Sequence, residues 1–173
     1  NSNYYDKKIS NIDNKILIYK PSPHLLSSLI KYQKKKIDIN NFLIDNLWNN
    51  KNINSKDFKK LNNFFWFFGL DLRSSKKLTR SVIINWIEIN HKFNSKTWNF
   101  DITAKRIIAW LSNYNLTYEE SDEEYQKKFN LMIKKQTNHL IQEINKATSL
   151  DDKLIGCAAI ILVGICYKDE KKY

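Results

Sequence analysis

The 173-residue chain is 42% hydrophobic and 13% aromatic, which excludes a disordered protein and is enough to bury one sizeable core. Three glycines and two prolines are too few for the turns of an all-β or doubly wound fold, so we expect an all-α domain. The formal net charge of +11 is uneven, because residues 1–115 hold 20 basic and 8 acidic side chains and residues 116–173 hold 9 and 10. This asymmetry indicates a polyanionic partner, an acidic polysaccharide or nucleic acid, unless it is only a solvated lysine-rich face.

Residues 1–54 are predicted to form an N-terminal extension with only short elements. The polar stretch 1–14 is expected to fray, and residues 16–19 to form a short strand or an extended lead-in. Short helices are predicted over 25–32 and 37–48, before an asparagine-rich linker.

Helices are predicted to dominate residues 55–173. The first has Ser55 as its N-cap, continues through Gly69, and presents a bulky aromatic face. The next spans residues 75–91, and its apolar side chains cover more than half of its circumference, so we expect it to be buried on two flanks.

The stretch 98–114 predicts a central helix with two faces that avoid solvent. The first face holds Phe100, Ala104, Ile107, Ile108, Leu111 and Tyr114, the second holds Ile102, Arg106, Ala109, Trp110 and Asn113, and the surface positions are Thr103, Lys105 and Ser112. One interpretation is an amphipathic helix with a wide apolar stripe and a single Arg whose stem lies along it. The other is an inner helix whose first face packs against outer helices and whose second face lines a cleft.

A capping box of Ser121 and Glu124 predicts a long helix that ends near residue 146. Its inward side chains are predicted to be Tyr125, Phe129, Met132, Ile133, Leu140, Ile141 and Ile144, and its outward ones Lys127, Lys128, Lys134 and Lys135. His139 has Glu143 four residues later, so a surface ion pair or a capped side chain is favoured over a catalytic role.

The last predicted helix carries an unbroken apolar run over residues 154–167. Its 14 residues reach only about 21 Å against a hydrocarbon core of about 30 Å, so we predict a fully buried inner helix and no membrane span. Cys157 and Cys166 lie on opposite sides of this helix, cannot form a disulfide with each other, and are expected in the core. His24 has no second ligand at a metal-binding spacing, so we predict no metal site and no cofactor.

Four segments, NNFFWFFGLDLRS, IINWIEIN, WNFDITAKRIIAWLSN and QTNHLIQEIN, together resemble the N-terminal helical region of bacterial heparinase II/III-like proteins, in which similar patterns occur in the same order. The resemblance covers about residues 48–167, and the sequence departs from the pattern at Phe67, where Leu is usual, and at Phe100, where Pro is usual. It implies part of an (α/α) toroid built from antiparallel helix pairs, continuing beyond residue 173 into a β-sandwich region. It also implies a location in the periplasm or cell envelope.

The activity that the resemblance implies is lytic cleavage of uronic-acid polysaccharides, such as glycosaminoglycans or alginate, by β-elimination. Polar groups neutralise the substrate carboxylate, a Tyr or His removes the C5 proton, and an acid assists the leaving oxygen. In the family these groups come from a Gly-Gly-His-x-x-Arg-Asn-like motif and later segments, and this sequence contains no such motif. We therefore assign no catalytic residue and expect the isolated chain to be inactive.

Arg106, Trp110 and Asn113 on the second face of the central helix are the candidate substrate-binding residues. A planar cation beside an indole is a common way to bind a sugar that carries a carboxylate or sulfate. In the alternative, Arg106 pairs with Asp71 or Asp101 and Trp110 fills the core.

Two other classes of function stay open. A basic nucleic-acid-binding module would explain the charge, but the lysines are spread over several elements and no reading helix is recognisable, so nucleic acid is the less favoured partner. A helical protein-interaction domain of the solenoid type would explain helices with two buried faces, but no period of 30 to 50 residues repeats.

Overall fold

The computed structural model of the protein describes residues 2–10, 17–18, 48, 53–70 and 75–167. The helices within these ranges are α1 (Ser2–Ile9), α2 (Ser55–Asn62), α3 (Lys76–Asn90), α4 (Phe100–Ser112), α5 (Tyr114–Thr117), α6 (Glu123–Glu143) and α7 (Leu150–Cys166), with 3₁₀ turns at Phe65–Gly69 and Ile144–Lys146. The part of the chain that the structure describes has no β-strand, which confirms the all-α class.

Some predictions fall on residues that the structure does not describe. These include the short helix at 25–32, nearly all of the one at 37–48, and the side chains of His24 and Asp71. Residues 17 and 18 alone do not decide between a strand and an extended lead-in, and the toroid likewise stays a prediction.

The central helix α4 is buried on both faces, as the sequence indicates. It packs against α6 and α7 and against the chain around the first 3₁₀ turn, so it has neighbours on every side except near Asp101 and Lys105. The prediction that Thr103 and Ser112 lie at the surface is wrong, because both side chains are fully buried under these neighbours.

The predicted single helix from Ser55 to Gly69 is interrupted after α2. Asn54, not Ser55, caps it, since its Oδ1 accepts a hydrogen bond from the Asp57 N–H at 2.9 Å. Phe64 then adopts a left-handed backbone with φ of 58°, which costs energy for a residue other than glycine. This turn places its fully buried ring against five aromatic rings at centroid distances of 5.1 to 6.1 Å, those of Trp48, Trp66, Phe67, Trp86 and Trp110.

Helix α3 matches its prediction closely, because Ser75 accepts a hydrogen bond from the Leu78 N–H and the helix ends at Asn90. The cap of α6 is Asp122 rather than Ser121, and its Oδ1 accepts from the Tyr125 N–H at 2.8 Å. A carboxylate at this position also interacts favourably with the positive end of the helix dipole.

Helix α7 is not the fully buried inner helix that its apolar run predicts. Among the described residues it packs on one side only, against α4 and α6, where Gly156, Ala159, Val163 and Cys166 are buried. Its other side exposes four large side chains by 50 to 70%, those of Leu150, Leu154, Ile161 and Ile165. Cys157 is exposed too, whereas burial raises the pKa of the Cys166 thiol to about 12. No described helix combines the length and hydropathy that crossing a bilayer needs.

The N-terminal stretch forms helix α1 and docks on α6 instead of fraying. Ile9 is fully buried, and its carbonyl accepts a hydrogen bond from Asn138 Nδ2 at 3.0 Å. Lys135, predicted to face outward, is buried beneath α1, where its Nζ lies 2.7 Å from Asp6 Oδ1. Ile141, predicted to face inward, is 52% exposed, so the inner face of α6 is rotated from the sequence prediction at its C-terminal end.

Candidate functional site

The side chain of Arg106 lies at the centre of the structure and is fully buried. Its Nε donates to Gln136 Oε1 at 3.0 Å, and its Nη1 donates to two backbone carbonyls, those of Asn62 at 2.8 Å and Thr97 at 3.0 Å. A longer bond of 3.3 Å joins Nη2 to Thr103 Oγ1. The planar fork of the guanidinium therefore fastens α4 to α2, to α6 and to the loop before α4.

The charge of Arg106 has no carboxylate partner among the described residues. Asp101, one predicted partner, instead pairs with Lys105 at 2.6 Å, and Asp71 lies outside the described residues. Carbonyl and amide oxygens solvate the cation, and the ring of Trp86 lies 3.9 Å from its Cζ. Burial lowers the pKa of Arg106 well below its ordinary value, because the charged form has lost its water.

Each of the four sequence segments that carry the family resemblance contributes to this one cluster. Asn62 begins the first segment, Trp86 lies in the second, Thr103 and Arg106 in the third, and Gln136 begins the fourth. The indole N–H of Trp86 also donates to Asn62 Oδ1 at 2.9 Å, which ties the first two segments together. The segments are therefore linked through a shared buried contact.

Trp110 and Asn113 are inside the structure as well. Trp110 is fully buried and packs edge-to-face on Phe64 and Trp86, at centroid distances of 5.2 and 5.6 Å. Asn113 is buried at the end of α4, where its Nδ2 donates to the Ala109 carbonyl at 2.8 Å. None of the three candidate substrate-binding residues lies at the surface in this structure, and their binding of a substrate stays a prediction.

A partly buried cluster of Tyr5, His139 and Glu143 joins α1 to α6, and no sequence pattern had predicted it. His139 Nε2 lies 2.7 Å from the Trp98 carbonyl and therefore carries the proton, so Nδ1 accepts from the Tyr5 hydroxyl at 2.8 Å. The same hydroxyl also lies 3.2 Å from Glu143 Oε1. The predicted surface location of His139 is wrong, because the ring is 4% exposed. The signal that was available is the four-residue spacing of Tyr5 and Ile9, which indicates a docked helix face.

The electrostatics of this cluster favour anchoring over proton transfer. Burial lowers the pKa of His139 and keeps the ring neutral. Burial and the Glu143 carboxylate raise the pKa of Tyr5, so its hydroxyl holds its proton more tightly than a free tyrosine does. A tyrosine that acts as a base needs the opposite shift.

Two open grooves lie on the described surface. The first, of about 620 Å³, separates α2 from the loop before α4, and its lining residues are Ile53, Ser55, Phe58, Lys59, Ser95, Lys96, Asn99 and Ile102. It contains two lysines and no described carboxylate, and it adjoins the N-terminus of α4, where Asn99 forms no capping hydrogen bond with its side chain. The second, of about 560 Å³, lies between α3 and α6 and mixes both signs of charge.

Comparison of the chain with known protein families, with curated proteins and with solved structures finds no match. The resemblance to heparinase II/III-like proteins rests on the four sequence segments alone. The described residues contain no group of three or more His, Cys, Asp or Glu side chains that could hold a metal ion.

Proposed function

We propose that this chain is the helical scaffold of a polysaccharide lyase similar to heparinase II/III, and that the catalytic groups lie in another region of the same protein. The observation that carries this proposal is the convergence of all four resembling segments on the buried guanidinium of Arg106. Residues that are fixed in this way hold a helical framework rigid. A rigid framework is what positions a long substrate against a distant catalytic site.

The described residues hold no catalytic set of the kind that the proposed chemistry requires. β-Elimination requires a base of suitable pKa at the C5 proton and donors that neutralise the neighbouring carboxylate. The nearest arrangement among the described residues is the pair of Tyr5 and His139, whose pKa values are shifted by burial and whose polar atoms are already hydrogen-bonded. We therefore assign this chain the support and binding of substrate, without a catalytic step.

The groove between α2 and the loop before α4 is the surface that best fits an acidic polysaccharide. Lys59 and Lys96 both line it, and neither pairs with a described carboxylate. The dipole of α4 adds positive potential at the same place. Uronate or sulfate groups of a substrate are stabilised there, and the half-buried side chain of Phe58 offers apolar surface for a sugar ring.

The catalytic part of the proposal is tested with the complete protein. Incubation with heparan sulfate, chondroitin sulfate or alginate is expected to release the unsaturated uronate from one of them, which is measured by its ultraviolet absorbance. The isolated 173-residue chain is expected to release none from any of the three. A folded complete protein without activity on any uronic-acid polysaccharide would contradict the proposal, and activity of the isolated chain would show that catalytic groups were missed.

The binding part is tested with a charge-matched pair of variants. The double variant Lys59→Gln and Lys96→Gln is expected to bind heparan sulfate about three- to tenfold more weakly, the range for two partly screened ionic contacts. The control, Lys127→Gln with Lys153→Gln, removes the same charge from exposed positions outside the groove and should bind as the unaltered chain does. Equal losses in both, or equally tight binding of DNA, would favour non-specific attraction of polyanions.

A further inference from the structure

The groove between α3 and α6 contains polar atoms that the fold leaves without partners. Arg80 Nε, Asn85 Oδ1 and the Tyr125 hydroxyl are each shielded from solvent, and none has a hydrogen-bond partner. All three residues line this groove, which measures about 560 Å³. Buried polar atoms without hydrogen-bond partners are rare in folded proteins. Three such atoms along one groove indicate that a bound ligand supplies the missing partners.

The unpartnered hydroxyl of Tyr125 is the strongest evidence for a ligand among the three atoms. Its side chain is 6% exposed, and its backbone position is fixed because its N–H binds the cap residue of α6. Burial raises the pKa of Tyr125 well above its ordinary value, so the hydroxyl stays protonated and can both donate and accept a hydrogen bond. Tyr167, which is equally buried, instead donates its hydroxyl to Asn130 Oδ1 at 2.7 Å.

The charges around the groove argue against a polyanion. Three cations and three carboxylates line it, those of Lys77, Arg80 and Lys128 and those of Glu88, Asp122 and Glu124. Lys128 and Glu124 pair with each other at 2.9 Å. Each terminal nitrogen of Arg80 already donates one of its two N–H groups to a backbone carbonyl, and the shielded Nε–H has no hydrogen-bond partner.

We propose that this groove is a binding site for a neutral sugar ring. Each sugar hydroxyl both donates and accepts, so neighbouring hydroxyls satisfy the donor at Arg80 Nε, the acceptor at Asn85 Oδ1 and the Tyr125 hydroxyl together. The half-buried side chain of Ile84 supplies apolar surface for the C–H face of the sugar. This site is additional to the basic groove near Lys59 and does not rest on the proposed lyase function.

Side-chain rotation is needed for such a ligand to reach the shielded atoms. Arg80 and Asn85 are both only half-buried, and rotation of side chains without movement of the backbone is a common accompaniment of binding. The Tyr125 ring stays in place against Phe129, at a centroid distance of 5.8 Å, and forms the fixed part of the site.

The test is a titration of the isotope-labelled chain with maltotriose and cellotriose, and with glucuronate as the anionic probe, followed by amide chemical shifts. We expect saturable shifts on α3 and α6 with at least one neutral probe at millimolar concentration and weaker ones with glucuronate. Tyr125→Phe should weaken binding about three- to tenfold, the effect of one net hydrogen bond. It should leave the free energy of unfolding unchanged or raised, because the lost hydroxyl has no partner in the free protein.

Tyr167→Phe is the matched control, since it removes a hydroxyl that is hydrogen-bonded within the protein. It should lower the free energy of unfolding and leave sugar binding as it was. Asn85→Ala provides a second test at a half-buried position that tolerates truncation, and should also weaken binding. The proposal is overturned if no neutral probe shifts these helices, which would mean that water alone satisfies the three atoms, or if Tyr125→Phe and Asn85→Ala bind as the unaltered chain does.

Discussion

Replacing Arg106 with lysine tests whether the central cluster is a structural device. Lysine carries its three donors on one nitrogen, so it cannot reach Gln136 Oε1 on one side and the carbonyls of Asn62 and Thr97 on the other at the same time. At least one charge-assisted hydrogen bond is lost, at about 1.5–3 kcal/mol, and a buried acceptor is left unpaired. Loss of the contact with the Trp86 ring adds about 1 kcal/mol. We expect a total of about 4 kcal/mol, a large share of the roughly 5–15 kcal/mol that stabilises a domain.

Urea denaturation followed by tryptophan fluorescence measures this loss, and a thermal melt should show Tm lowered by about 8–16 °C, at about 2–4 °C per kcal/mol for a chain of this size. Arg80→Lys is the matched control. Arg80 is half-buried and bonds only to the carbonyls of Glu119 and Glu120 near the surface, so we expect a change of about 1 kcal/mol or less.

A change below about 1 kcal/mol for Arg106→Lys would refute the structural reasoning. If stability were intact while binding of the proposed polysaccharide was weakened, Arg106 would have the substrate-binding role that the sequence suggested. The same measurement thus distinguishes the two interpretations of the residue.

Three further predictions follow from single contacts. The pKa of His139 is lowered in the folded state, so the neutral ring contributes to the free energy of unfolding above about pH 6.5. This contribution is lost as the pH falls, by up to about 1.4 kcal/mol per pH unit. His139→Gln should remove this pH dependence from urea unfolding curves measured between about pH 7 and 5.5. Gly156→Ala places a methyl group into the Phe100 ring and should cost about 1–3 kcal/mol in thermal melts. At Gly164 an added methyl group meets no described atom within 4 Å outside the local backbone of α7, so Gly164→Ala should stabilise α7 by about 0.5–1 kcal/mol. Equal effects of the two substitutions would contradict this packing. Asp6→Asn removes the ion pair with the buried Lys135 and should accelerate amide hydrogen exchange in α1, at a cost of about 1–2 kcal/mol after screening is allowed for; unchanged exchange would mean that α1 is held by other contacts.

Short-range sequence patterns were sufficient to predict most of the main helices. The apolar period of 3.6 residues identified α3, α4, α6 and α7, and Ser75 marked the beginning of α3, because capping and periodicity act within one or two turns of a helix. The two solvent-avoiding faces of residues 98–114 correctly indicated a helix with neighbours on both sides.

Contacts between distant residues were decided by the tertiary structure. Tyr5 and His139 are 134 positions apart, and the oxygens that solvate Arg106 include backbone carbonyls, which every residue carries and no residue type reveals. The left-handed turn at Phe64 exists because burial of its ring among other aromatics offsets the local strain. An apolar run such as that of α7 indicates how much surface a helix can bury. Which of its side chains are exposed depends on the neighbours that pack against each side, and only the assembled fold determines these neighbours.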